Sequence, residues 1–254
     1  MAKVKFRLSR VLLVLFCMSF CFSQVPSQHD QLRIAVWAEL DAFPGLFGDE
    51  NGYESLSEDP LADGTSKEQK DGSSLTKLDL FDTAVARTKQ IAPFLLNGMI
   101  NGWTFDYTPK DNLRGVSEFF ELIPVRDFDE GINPITYHSP EPVDGKLYSW
   151  AYCSRTETQQ ISYERWFSIT NPKVHGTGQG PVYAGMEGIR QAVAQAARNA
   201  IHEYWRRKIK NKPKEIMGKL LLVGDPRIYI KDGRYTVDLD FFMQTDKMVE
   251  YTQY

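Results

Sequence analysis

Apolar positions change period several times along this chain, and each change marks an element. Leu32, Ile34, Val36 and Ala38 alternate with Arg33, Ala35, Trp37 and Glu39, which predicts a strand over Gln31 to Leu40. From Thr76 the period lengthens. Leu80, Ala84, Thr88, Ile91, Leu95 and Met99 recur at helical spacing, with Phe81, Val85, Ala92 and Leu96 widening the stripe. Pro93 is expected to kink this helix or start a second one, and Asn101-Gly102 to stop it. Trp103, Phe105 and Tyr107 then share one face of a strand. Ser117 to Val125, Lys146 to Ser154 and Gln160 to Thr170 read as further strands, the last with Ile161, Tyr163, Arg165, Phe167 and Ile169 on one face. The Pro- and Asp-rich stretch Arg126 to Gly145 reads as turns.

The clearest helix begins near Met186. Ile189, Val193, Ala196, Ala197, Ala200, Ile201 and Tyr204 form one apolar stripe, much of it alanine and suited to close packing. Lys219 to Val223 is apolar, and Arg227 to Phe242 is the best hairpin, turning at Asp232-Gly233. Helix followed by two strands thus occurs twice, at Thr76–Val125 and Met186–Phe242. The expected fold is α+β: an antiparallel sheet of about six strands covered by two main helices, in a single domain over residues 24–254.

Two segments stand outside that pattern. Residues 1–23 carry Lys3, Lys5, Arg7 and Arg10, then the apolar run Val11 to Phe22, closed by Ser23. A basic head, about 12 apolar residues and a small-residue exit predict a signal peptide. A bilayer-spanning helix needs roughly 20, so no transmembrane span is expected once the leader is removed. The expected location is periplasmic or secreted. Residues 48–76 are rich in Asp, Glu, Gly and Ser with few large apolar residues, which predicts a flexible acidic loop. Its acids lack the alternate spacing of a calcium loop.

Composition narrows the function classes. Hydrophobic residues make up 42% of the chain, enough for a packed core, and the formal net charge of −3 gives no pull towards nucleic acid, so no nucleic-acid partner is expected. Two of the three cysteines lie in the leader; Cys153 is left alone and cannot form an internal disulfide. Four histidines, His29, His138, His175 and His202, show no ligand spacing, so neither a metal nor another cofactor is expected. Cys153 with His175 is the candidate nucleophile and base, but AYCSRT has no cysteine-hydrolase signature. Asp238 and Asp240 read as a solvated strand face rather than a glycosidase pair.

Two binding candidates remain. In LYSWAY, Tyr148, Trp150 and Tyr152 fall on one strand face opposite Leu147, Ala151 and Cys153, so the aromatics, with Trp166 on an expected neighbouring strand, form a ligand- or partner-binding face. The competing reading places these rings in the core. The second candidate is an anion site combining Gly176, Gly178 and Gly180, read as a mobile loop before the long helix, with Arg206, Arg207, Lys208 and Lys210 in the basic run after it. Such a run also simply complements the helix dipole, or contacts an anionic surface. The sequence therefore favours an exported bacterial cell-envelope protein that is not an enzyme and binds another envelope protein or polymer, or helps build an envelope assembly. The alternatives are a small-ligand or glycan binder using the aromatic face, and thirdly a hydrolase.

Overall fold

A computed structural model describes residues 31–40 and 77–251; the leader and the acidic segment expected at 48–76 lie outside the described residues. The fold is α+β, with antiparallel sheets and helices. In chain order the elements are β1 (Gln31–Glu39), α1 (Lys77–Ile100), β2 (Trp103–Thr108), β3 (Phe119–Pro124), β4 (Thr136–Val143), β5 (Lys146–Ser154), α2 (Glu157–Trp166), β6 (Lys173–Pro181), a single 3-10 turn (Val182–Ala184), α3 (Met186–Lys208), β7 (Glu215–Lys231) and β8 (Arg234–Val249). The strands form two sheets rather than the one expected: β3-β2-β7-β8-β6 and β1-β5-β4, every pairing antiparallel.

Helix α3 is seated on β6 backbone to backbone. A Cβ on Gly176, Gly178 or Gly180 would come within 2.0, 2.0 and 1.9 Å of the carbonyl oxygens of Ala196, Ala192 and Gly188 respectively. The registers fit because the steps fit. Four helical residues rise about 6 Å and two strand residues about 6.6 Å, so a glycine at every second strand position meets a small residue at every fourth helix position. The segment 173–181 is therefore a strand and not the mobile loop expected from its glycines. Its edge is guarded by α3: Gln195 Oε1 accepts from the Gln179 N–H, and Asn199 Nδ2 donates to the Thr177 carbonyl.

Helix α1 lies against β1 and β5 on one side and β7 on the other. Ile91, Ala92, Leu95, Leu96, Met99 and Ile100 are all buried. This two-sided burial keeps Pro93 inside a continuous helix, although proline removes one backbone donor. At its end, Gly102 has φ +73°, and its N–H returns to the Asn97 carbonyl. The Arg155 guanidinium, itself buried, donates through Nη2 to the Met99 carbonyl (2.9 Å), placing a cation at the helix C-terminus.

Two further expectations fail for identifiable reasons. Residues 160–170 were expected as a strand but begin within α2. Thr156 and Gln159 form a reciprocal capping box that starts a helix. The turn stretch Arg126 to Gly145 contains β4. It tolerates Pro140 and Pro142 because it is an edge strand with a bulge between His138 and Glu141. Asp144-Gly145 (φ 49° and 72°) closes β4 onto β5 as Asp232-Gly233 (φ 52° and 68°) closes β7 onto β8, both with the left-handed pairs of a tight hairpin turn.

The seating of α3 is directly testable. In Gly178→Ala the new methyl meets Ala192 and Ala196 backbone rather than movable side chains. Denaturant unfolding should show a loss of about 3 kcal/mol or more; a loss below about 0.5 kcal/mol would refute the backbone contact.

Candidate binding site

Two surfaces collect the chemistry-bearing residues. The first is the outer face of β1-β5-β4. Leu147, Ala151 and Cys153 are buried beneath it, while Tyr148 and Trp150 stay 38% and 42% exposed. Trp150 stands opposite Ala35 and His138, and Tyr152 opposite Arg33 and Thr136. The Arg33 guanidinium lies 4.3 Å from the Trp150 ring centre, and His138 meets the Tyr152 ring edge-on at 4.6 Å. Trp37 shares this strand parity but is buried, because the β7–β8 hairpin reaches over it. Its Nε1 donates to the Ile228 carbonyl (2.8 Å), the Tyr235 ring packs tilted at 6.4 Å, and Lys146 caps the ring at 4.3 Å. Trp166 does not join the trio: it sits half-buried on α2, a separate element.

The second surface is a cavity of about 200 Å³ at the C-terminal end of α3. Tyr107, Pro109, Ile209, Pro213 and Ile216 give it apolar walls. His202, Trp205 and Arg206 line it from the helix, and Lys210 and Lys212 from the segment that follows. Tyr107 Oη and His202 Nδ1 are 2.8 Å apart, and the same hydroxyl donates to Glu118 (3.3 Å), itself paired with Arg198 at 2.8 Å. Burial, then the charge of Glu118 and the bond to it, keep the Tyr107 hydroxyl protonated well above the usual tyrosine range. The His202 Nδ1 is thereby occupied, leaving Nε2 for other contacts. Trp205 Nε1 is buried without a hydrogen-bond partner.

The anion site read from the sequence is therefore divided. Gly176, Gly178 and Gly180 are buried against α3 and cannot cradle a ligand. Arg206 and Lys210 do line the cavity, while Arg207 and Lys208 do not; Arg207 shares Glu203 with Arg206 (3.9 and 2.9 Å), and Lys208 lies over Tyr204. Tyr107, His202, Trp205 and Lys212 are the residues the sequence reading missed. A signal existed: His202, Trp205, Arg206 and Ile209 are spaced i, i+3, i+4 and i+7, one helical face beside the alanine stripe.

The catalytic pairings considered from the sequence are not assembled. Cys153 is buried within the small sheet, where burial pushes its thiol up to about 11. His175 lies exposed on β6 of the other sheet, 3.0 Å from Asp240 and 3.5 Å from Asp238. Lys173 also pairs with Asp240 at 2.8 Å, so Asp238 and Asp240 belong to a charged ladder along β6 and β8. Burial raises the Asp240 carboxyl, but the Lys173 and His175 bonds outweigh it and hold it below the usual range. Among the described residues no three His, Cys, Asp or Glu side chains converge on a metal position, and no helix is long and apolar enough to cross a membrane.

A family model of uncharacterized proteins matches residues 18–251. The chain belongs to that family. A relative, an uncharacterized protein of Treponema pallidum (strain Nichols), is 26% identical over 166 residues, covering 65% of this chain and 70% of the relative. No solved structure matches. Family membership therefore carries no activity or ligand to these surfaces, and their chemistry has to be read from the residues themselves.

Two measurements check the electrostatics. Cys153 should resist alkylation at pH 8 in the folded protein and react on unfolding, as followed by peptide mass; rapid labelling of the native protein would contradict its buried setting. For Asp240 the folded-state carboxyl is depressed, so its contribution is present above the unfolded value near about 3.9 and is lost as pH falls through the folded value. Asp240→Asn should cost a few tenths of a kcal/mol at pH 6, about the worth of an exposed pair, and the difference should vanish under strongly acidic conditions in urea titrations.

Proposed function

We propose that this protein is an exported component of the bacterial envelope that acts by binding another protein, without catalysis of its own. The observation that carries the reading is the outer face of the small sheet, where Tyr148, Trp150 and Tyr152 stand in a row with Arg33 and His138 against them. Tyr, Trp and Arg are the side chains most enriched among residues that dominate protein interfaces. Rings fixed on a strand lose little freedom on binding, and the sheet beneath is anchored by buried Leu147, Ala151 and Cys153.

Export is supported by the basic and apolar leader, and a bacterial setting by the Treponema relative. A glycan platform is the second reading, because sugars also stack on exposed rings. Arg33 over the Trp150 ring favours protein instead, since a sugar needs that open indole face. A hydrolase has less support: Cys153 and His175 lie on different sheets with other neighbours.

The test is affinity recovery from envelope extract with tagged wild-type protein and with Trp150→Ala. The wild type should retain a specific partner. Truncating a central tryptophan should cost about 2 kcal/mol, roughly 30-fold in affinity. Recovery unchanged by Trp150→Ala, or a native product whose intact mass and fractionation show it uncut and cytosolic, would overturn the reading.

A further inference from the structure

We propose that the cavity at the C-terminal end of α3 is a binding site for a phosphate monoester carried on an apolar body. The inference does not rest on the proposed protein-binding face, which belongs to the other sheet. Three cations, Arg206, Lys210 and Lys212, stand around one cavity. One carboxylate, Glu203, reaches Arg206 at 2.9 Å. Three positive charges against one negative leave a surplus of two, matching the charge of about −1.5 to −2 on a phosphate monoester near neutrality and exceeding that of a carboxylate.

The rim is shaped as well as charged. The Lys212 ammonium donates to the Lys110 carbonyl (2.8 Å), which fixes one side, while the Lys210 side chain is exposed on the segment leaving the helix. Below the rim, Tyr107, Trp205, Ile209, Pro213 and Ile216 are apolar or aromatic. A dry cavity of roughly 150 Å³ accommodates a benzene ring, so about 200 Å³ holds a ring-sized body with its phosphate among the cations. The cavity is too small for an acyl chain, so a lipid would present only its headgroup.

Calorimetry on the full chain with phenyl phosphate, inorganic phosphate and phosphatidic acid vesicles in phosphatidylcholine tests the assignment. Phenyl phosphate should bind at least tenfold more tightly than inorganic phosphate. Binding to phenyl phosphate supports the site, and binding to the vesicles as well extends it to a lipid headgroup, whereas binding to the vesicles alone leaves the apolar walls without an occupant and overturns the proposal. The double variant Arg206→Ala/Lys210→Ala should weaken binding at least tenfold, and Arg207→Ala/Lys208→Ala, which removes the same charge outside the cavity, less than threefold. Lys210→Glu, on an exposed side chain beyond the helix, repeats the test without touching α3. Absence of binding to both phenyl phosphate and the vesicles, equal losses in the two double variants, or inorganic phosphate binding as tightly as phenyl phosphate would each overturn the proposal.

Discussion

The close approach of α3 to β6 is the constraint on which the rest of the large sheet depends. Three glycines on the strand and small residues on the helix bring two backbones to a separation that no side chain could share. That contact fixes the helix in rotation and in axial position together, because a shift by one residue would drive a Cβ into a carbonyl. With α3 fixed, Ile189, Val193, Ala197 and Ile201 reach the core formed with Val237, Leu239 and Phe241 of β8. The same positioning carries His202 to Tyr107 and the basic end of the helix over Pro109 and Pro213.

The second organising feature is that α1 serves two sheets. A helix buried on opposite sides needs no polar stripe, and its last turns accordingly run through Leu95, Leu96, Met99 and Ile100 without an exposed face. The small sheet gains a core side from α1, while the β7–β8 hairpin covers its other side only at Trp37, which is why the aromatic row on β5 stays open. The two sheets are tied where the β7–β8 hairpin reaches β1, through the Trp37 indole and the Ile228 carbonyl, and through the Tyr235 hydroxyl donating to Glu39 at 3.3 Å.

Charge is divided along the molecule in a way that a net value of −3 conceals. Six basic residues lie between Arg206 and Lys214, whereas Asp106, Glu121 and Asp246 share a groove with Lys247 on the outer face of the large sheet. Asp106 is raised there by burial first and then by the charges of Glu215 and Glu121, with Lys247 opposing. A protein with nearly balanced charge thus presents one end to anions while a sheet face repels them.

Elements with long, consistent periodicity were legible in the residues: β1, α1, the Trp103–Tyr107 strand, β5, α3 and the β7–β8 hairpin all follow from local pattern and turn chemistry. So did the split of β5 into an aromatic face and a small-residue face, because alternation is a property of the strand alone. What misled the reading were cases where local pattern and partner availability disagreed. Glycines at 176, 178 and 180 look like a loop until a helix backbone lies on them. The alternation from Ile161 to Ile169 looks like a strand until the Thr156–Gln159 cap begins a helix.

The sequence by itself determined the α+β class, the antiparallel hairpins and the apolar stripe of α3, because these depend on residues near one another in the chain. Only the tertiary structure decided that there are two sheets, that β6 is a strand, and that Tyr107 and His202, 95 positions apart, meet in one cavity wall. Those outcomes depend on which surfaces are left to bury one another after the local elements form, and no window of sequence contains both partners.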